Sequence, residues 1–172
     1  MLSRIAFAAA AAALVASPAL AQQPGVMKKA LSDLVNNAKG FTGRVNITEA
    51  PGGVLLVVEL QGMTPGWHGM HLHEKGDCSA ADFTSAGAHI NHATAKKPHG
   101  LLNPAGPDFG DLPNIYIDAD GRGKAEAYTT LVKFGELTDT DGSALIIHAN
   151  PDDHLSQPIG GAGGRVACAV IK

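Results

Sequence analysis

An all-β domain of the antiparallel sandwich or barrel kind is predicted by three features of the 172-residue chain. About eight short apolar or alternating runs follow one another along it. Turn signals separate them, at Pro51-Gly52-Gly53, Ala119-Asp120-Gly121 and Asp141-Gly142. Almost no stretch repeats its apolar residues with the period of a helix.

In chain order, the first strand is expected over Ala30–Asn36, where a helical turn is the alternative. Val45–Glu49 alternates apolar and polar residues, as a half-buried strand should. The Pro51-Gly52-Gly53 turn sends the chain back as Val54–Leu60. Trp67–Glu74 reads as the next strand. Asn114–Asp118 and Lys124–Thr130 flank Ala119-Asp120-Gly121 as a hairpin. Ser143–His148 follows Asp141-Gly142, and Arg165–Ile171 closes the chain. Gly76–Pro113 and Ala149–Gly164 break this rhythm. Loops of that length in a compact domain are functional or disordered. These two hold most of the candidate ligands, which favours function.

Met1–Ala21 is set apart by composition. It carries one positive charge, Arg4, then an alanine-rich apolar run, and ends in Ala19-Leu20-Ala21. That is the pattern of a cleaved signal peptide, and the apolar run is too short for a membrane helix. The absence of a cysteine at the cleavage point and of a twin arginine favours the general secretory route to the periplasm. Residues 22–29 read as a flexible leader and 30–172 as one domain. Cleavage would leave 151 residues (172 less 21), enough for a single core. The mature part has 12 basic residues (13 less Arg4) against 16 acidic ones. It has no basic run, so nucleic acid is not an expected partner, nor is a membrane after cleavage. An anionic substrate would need a local field to draw it in. Cys78 and Cys168 are the only cysteines. In an exported chain they read as one disulfide, with zinc ligation as the rival.

Eight histidines follow the leader: His68, His71, His73, His89, His92, His99, His148 and His154. A lone histidine is more often a hydrogen-bonded surface or core residue than a ligand. His71-Leu72-His73 is different. Alternate strand residues share a face, so both imidazoles project together while Met70 and Leu72 pack the other way. Two imidazoles on a rigid strand make half of a nitrogen site suited to Cu(II).

The stretches around these histidines resemble the copper/zinc superoxide dismutase family, its bacterial periplasmic branch most of all. His68-Gly69-Met70-His71-Leu72-His73-Glu74-Lys75-Gly76-Asp77-Cys78 is similar to the copper-ligand strand. Ser85-Ala86-Gly87-Ala88-His89-Ile90-Asn91 is similar to the segment of the bridging histidine. His99-Gly100 and Gly106–Asn114 resemble the zinc loop. Asp141–His148 resembles the strand that ends in the last copper ligand, and Gly163–Ile171 the terminal strand. The match runs in order from about residue 40 to the end. It implies an eight-stranded Greek-key barrel and a dismutase that protects the cell envelope. It also implies copper on His71, His73, His89 and His148, and zinc on His89, His99 and Asp111. His89 would bridge the two metals. Asp152 would link the outer nitrogens of His71 and His99. Arg165 would stand beside the copper and guide superoxide, with Lys75, Lys96 and Lys97 adding to the field. A Cys78–Cys168 disulfide would tie the loop and Arg165 to the barrel. Relatives occur as monomers and dimers, so a homodimer is one expected state.

The chain departs from the family at Asp108-Phe109-Gly110-Asp111, where the pattern is histidine-x-x-aspartate. Asp108 then replaces a zinc histidine, and carboxylate oxygen is an acceptable zinc ligand. A zinc site completed by Asp108 is the first expectation. An empty second site is the next, and a site completed by His92 the third. His68, His92 and His154 have no ligand role that the resemblance implies. His68 is expected to pack near the copper strand and His154 at the rim of the channel.

Two rival functions share these residues. One is a non-enzymatic periplasmic protein that stores or delivers copper. Such proteins favour methionine and cysteine for Cu(I), and only three scattered methionines follow Met1. The other is a dismutase-like module without activity, against which all four copper-position histidines speak.

Overall fold

The structure is a computed structural model and describes residues 25–92 and 94–172. The segment Met1–Ala21 and residues 22–24 of the leader lie outside the described residues. Among the described residues nine strands form one curled antiparallel sheet. They are β1 (Lys29–Asn36), β2 (Phe41–Ala50), β3 (Gly53–Leu60), β4 (Gly66–His68), β5 (Met70–His73), β6 (Ile115–Ile117), β7 (Gly123–Thr129), β8 (Ser143–His148) and β9 (Arg165–Ile171). A four-residue helix, α1 (Phe134–Leu137), lies between β7 and β8.

The sheet order is β4-β6-β7-β3-β2-β1-β9-β8-β5. The two end strands, β4 and β5, adjoin in sequence across Gly69, so the sheet comes round almost to a closed barrel. The links from β3 to β4 and from β7 to β8 each pass over intervening strands, which is the Greek-key arrangement. The number of strands differs from expectation, and so do some bounds: β1 takes in Lys29, assigned to the leader, and β2 begins at Phe41 rather than Val45. The single strand expected over 67–74 breaks at Gly69. Its first part pairs with β6 and its second with β8. Gly69 sits at this corner, with its N–H on Asn150 O (2.9 Å) and its carbonyl taking His148 N–H (2.9 Å). A β-carbon there would lie 3.0 Å from Ala162 Cβ and 3.3 Å from Asp152 Cβ, so a larger residue would crowd the turn.

The hairpin of β2 and β3 shows the sequence logic most plainly. The register runs from Gly43↔Leu60 to Ala50↔Gly53. Val45 and Ile47 of β2, and Val54, Leu56, Val58 and Leu60 of β3, point to one buried face. Gly52 turns the chain at φ 79°, a left-handed conformation that glycine tolerates. Leu34, Met70, Leu72, Leu112, Ile115, Ile117, Leu145 and Ile147 complete the barrel core.

β5 and β8 are buried on both faces. Leu145 and Ile147 face the barrel core, while Ala144 and Ile146 pack outward against Phe83, Ala86 and Cys168. Loop 74–114 therefore covers the outer face of this side of the barrel, where the two-residue alternation of burial disappears.

Candidate metal centre

β5 places His71 and His73 on the face under the long loops. As a sheet end, β5 has a free edge, and the loop fills it. Ile90 N–H bonds Leu72 O (2.9 Å), Leu72 N–H bonds Gly110 O (2.8 Å), and Glu74 N–H bonds Ala88 O (2.9 Å). Single bridges pair His71 with Asp111 and His73 with His89. Gly110 permits the close approach, since a β-carbon there would fall 2.3 Å from Leu72 O. Backbone pairing thus delivers His89 and Asp111 to the strand that carries His71 and His73.

Among the described residues three buried donor groups result: one gathers His71, His99, Asp111 and Asp152, and the other two share His89. Of those two, the first is His71, His73, His89 and His148, and the second is His89, His99, Asp108 and Asp111, each with ligand atoms within 4.8 Å of one another. His89 belongs to both. Its Nδ1 faces Asp108 Oδ2 (2.8 Å) and Asp111 Oδ1 (3.8 Å), on the carboxylate side. Its ring lies 4.2 Å from that of His71 and 5.0 Å from that of His73, on the all-imidazole side.

The outer nitrogens fix each ring. His71 Nε2–H donates to Asp152 Oδ2 (2.8 Å), and His99 Nε2–H to Asp152 Oδ1 (3.1 Å). His73 Nδ1–H donates to Gly87 O (3.0 Å), and His148 Nδ1–H to Gly163 O (3.0 Å). Carboxylates and carbonyls only accept, so each ring, when neutral, turns a lone pair to the opposite side. Those inward atoms are His71 Nδ1, His73 Nε2, His148 Nε2 and His99 Nδ1, and with His89 Nε2 and Asp111 Oδ1 they are buried without a hydrogen-bond partner. Buried polar atoms seldom lack partners, and here the orphans converge on two points. A metal ion at each point would satisfy these six, while His154 Nδ1, also buried without a hydrogen-bond partner, lies beside Asp152. Four imidazole nitrogens suit copper, and two imidazoles with two carboxylates suit zinc.

Charge divides the sets. Burial, then the neighbouring His89, holds His73 well below the ordinary imidazole value. Burial, then His71, holds His148 down to about 3. Burial also lowers His71, against the pull of Asp152. On the other side burial again opposes the charge, but Asp111 and Asp152 overcome it and hold His99 up to about 10. Asp152 is lowered despite its burial because His71 and His99 bond both its oxygens. Asp111 is lowered against burial by the facing His99, whose Nδ1 stands 2.5 Å from its Oδ1 without the geometry of a hydrogen bond.

Asp108 is buried, with Oδ2 on His89 and Oδ1 accepting Gly110 N–H (2.9 Å). His92 lies elsewhere: its ring rests on Phe109 and its Nε2 is 3.9 Å from Glu136 Oε1. Arg165 begins β9 and donates from Nη1 to Phe83 O (2.7 Å) and from Nη2 to Gly87 O (2.6 Å). With Lys96 and Lys97 it lines a cleft of about 400 Å³ that reaches His73, His89 and Asp108. Lys75 does not line it. Cys78 and Cys168 form a disulfide with 5.9 Å between their Cα atoms.

Several supporting residues carry no sequence signal of their own. Asn114 clamps the Asp152 backbone, donating to its carbonyl (2.8 Å) and accepting its N–H (2.9 Å). Gln157 ties loop 149–164 to the backbone of His99. Gly160 leaves space for the Asp152 carboxylate. His68 contacts the backbone behind the copper-type set, with Nδ1 2.7 Å from His148 O and Nε2 2.8 Å from Thr64 O. His154 lies beside Asp152, its Nδ1 3.4 Å from Oδ2.

A nearly closed Greek-key barrel with two adjoining donor sets, joined through one imidazole, defines a two-metal β-barrel protein. Residues 41–171 match the copper/zinc superoxide dismutase family. The "Superoxide dismutase [Cu-Zn]" of Caulobacter vibrioides is 60% identical over 136 residues, 76% of this chain and 78% of the relative. "Superoxide dismutase [Cu-Zn] 2" of Aquifex aeolicus is 41% identical over 150 residues, 84% of this chain and 86% of the relative. Among solved structures, the Cu/Zn superoxide dismutase from Brucella abortus superimposes with a TM-score of 0.70 at 29% identity, over 84% of this chain and all of that one. The chain belongs to the copper/zinc superoxide dismutase family.

Proposed function

We propose that the chain is a superoxide dismutase, an oxidoreductase that converts two superoxide anions and two protons into oxygen and hydrogen peroxide. The observation that carries this reading is the convergence of orphaned buried donors into two sets that share His89. His71, His73, His89 and His148 would hold copper, and His89, His99, Asp108 and Asp111 zinc. Copper, when bound, supplies the one-electron Cu(II)/Cu(I) couple that the reaction needs and that zinc lacks.

The chain's own groups do the rest. Arg165 holds a fixed positive charge at the cleft, and Lys96 and Lys97 extend it. The formal net charge is −3, so this local field must draw the anion in. His89 Nε2 takes up a proton in one half of the cycle and returns it in the other, while Asp108 and Asp111 face its Nδ1. Water supplies the second proton of hydrogen peroxide. Asp152 keeps His71 and His99 in the tautomers whose lone pairs point inward.

Met1–Ala21 acts as a cleaved signal peptide, residues 22–29 as a leader whose last residue, Lys29, already opens β1, and residues 30–172 as the working domain in the periplasm. The Cys78–Cys168 disulfide supports an oxidising compartment. N-terminal sequencing of protein from the periplasmic fraction tests the cleavage, and sedimentation equilibrium tests for a homodimer.

The deciding experiment is superoxide disappearance in stopped flow with purified mature protein loaded with copper and zinc. Fast turnover is expected, slowed by Arg165→Ala, with a flatter dependence on salt. Stoichiometric copper without turnover would reject the dismutase reading in favour of copper storage or delivery.

A further inference from the structure

We propose that the turn between β1 and β2, far from both metal sets in sequence, is a positioning element for the Arg165 guanidinium, and that Asn37 is its main contact. This rests on the dismutase reading for its functional meaning, though not for its geometry.

Among the described residues no carboxylate lies within ion-pair distance of Arg165; it is aimed by two carbonyls, Phe83 O and Gly87 O. Carbonyl acceptors leave the full positive charge available to an anion, but they aim the group only as well as the segment 78–87 is itself held. Phe83, a non-glycine residue, stands in the left-handed region at φ 58°, which a free loop would relax. Something must therefore hold this segment in place. The disulfide holds its start, and the β1–β2 turn holds its middle.

Asn37 Nδ2 donates to Ala81 O (2.9 Å) and to Arg165 O (3.1 Å). One amide thus joins the backbone of Arg165 to the loop that aims its side chain. Lys39 adds a second clamp. Its Nζ donates to Cys78 O (2.7 Å) and Ala80 O (2.8 Å), and lies 4.4 Å from the centroid of the buried Phe83 ring. The turn is itself pinned, since Asn36 Oδ1 accepts from Ala38 N–H and Gly40 N–H, both at 3.0 Å. Asn36 also closes β1 against Ala167 of β9. The clamp is therefore anchored in the barrel rather than in the loops. Among the described residues, the side chains of Asn36, Asn37 and Lys39 hydrogen-bond no metal donor, and Asn37 carries no charge, so its removal changes aim without changing the field.

The test uses the copper- and zinc-loaded protein, with azide as an anion probe read by visible absorption. Asn37→Ala should weaken azide binding about threefold to tenfold, the size of one or two lost hydrogen bonds. It should lower the superoxide rate by a similar factor and leave copper and zinc contents unchanged. In metal-free protein it should speed hydrogen exchange across residues 78–88. The same substitution in an Arg165→Ala background should leave azide binding unaltered, which a general loosening of the fold would not. Asn37→Leu, which keeps the size but loses the donor and adds no charge, should reproduce the defect if Asn37→Ala folds poorly. Unchanged azide affinity in Asn37→Ala, or an equal loss in the Arg165→Ala background, would overturn the proposal. A wild type that binds copper and azide but does not turn over superoxide would sink the dismutase reading alone, with the azide series still deciding the role of Asn37.

Discussion

Asp152→Asn is the sharpest perturbation that the geometry offers. The side chain is buried, and the substitution preserves its shape, so no cavity forms. What changes is hydrogen-bond polarity. Both carboxylate oxygens accept, from His71 Nε2–H at 2.8 Å and from His99 Nε2–H at 3.1 Å, and Oδ1 also accepts His154 N–H at 2.6 Å. An asparagine offers one oxygen and one N–H₂. Whichever way it turns, one imidazole meets a donor. That ring then keeps its tautomer with an unsatisfied buried N–H, or changes tautomer and points a proton at the metal. A buried unsatisfied group costs about 1–3 kcal/mol, which matches a loss of roughly 10–100-fold in metal affinity. Zinc should suffer more than copper. Asp152 helps to raise the basicity of His99, and the zinc set has only one other imidazole, whereas the copper set has three besides His71. Competition against a chelator of known affinity measures both constants. Zinc affinity within twofold of wild type would show that Asp152 does not orient His99.

Three further outcomes follow from the site. Cys78→Ser should lower the melting temperature and the metal content together, because the bridge spans a separation of 90 residues; loop-closure entropy sets an upper estimate of about 4–5 kcal/mol. Native mass spectrometry and thermal melts check both. Asp108→His should raise the copper reduction potential by tens of millivolts, because it removes a negative charge 2.8 Å from His89 Nδ1; for one electron, about 59 mV corresponds to about 1.4 kcal/mol. An unchanged potential in spectroelectrochemistry would refute this. Metal-free protein should be most stable near pH 6.5. Below that pH, unfolded imidazoles bind protons that folded His148 refuses until about 3, so stability is lost on acidification, by about 5 kcal/mol at most for His148. Above it, His99, whose folded value is about 10, loses its contribution as pH rises from 6.5 to 10. Urea midpoints against pH test both limbs.

The sequence makes part of this structure legible. β3 could be read because only one of its faces is buried, so Val54, Leu56, Val58 and Leu60 alternate with less buried neighbours. β8 is legible only as an apolar run, because Ile146 meets loop residues while Ile147 meets the core. The break at Gly69 has no local signal, since it depends on Asn150 and Ala162 lying behind it. At the site, His71 and His73 show themselves through the two-residue period of a strand. His89, His99 and His148 are distant in sequence, and only the family resemblance gathers them. Asn114, Gln157 and Asn37 act through backbone contacts across 38, 58 and 128 residues, which no local pattern records.

The division of charge suits the two donor sets to different metals. On the all-imidazole side burial keeps the rings neutral, so their lone pairs are free at neutral pH and copper would displace no proton from His73 or His148. On the carboxylate side Asp111 and Asp152 keep a proton on His99 up to about pH 10, so zinc would have to displace it. That proton balances Asp111 and Asp152, so without metal these buried carboxylates still face a cation. Two links join the sets: the His89 ring directly, and Asp152 through the outer nitrogens of His71 and His99. A change of charge on either side therefore reaches the other by two routes. For that reason the carboxylate at Asp108 bears on the redox partner as well as on zinc.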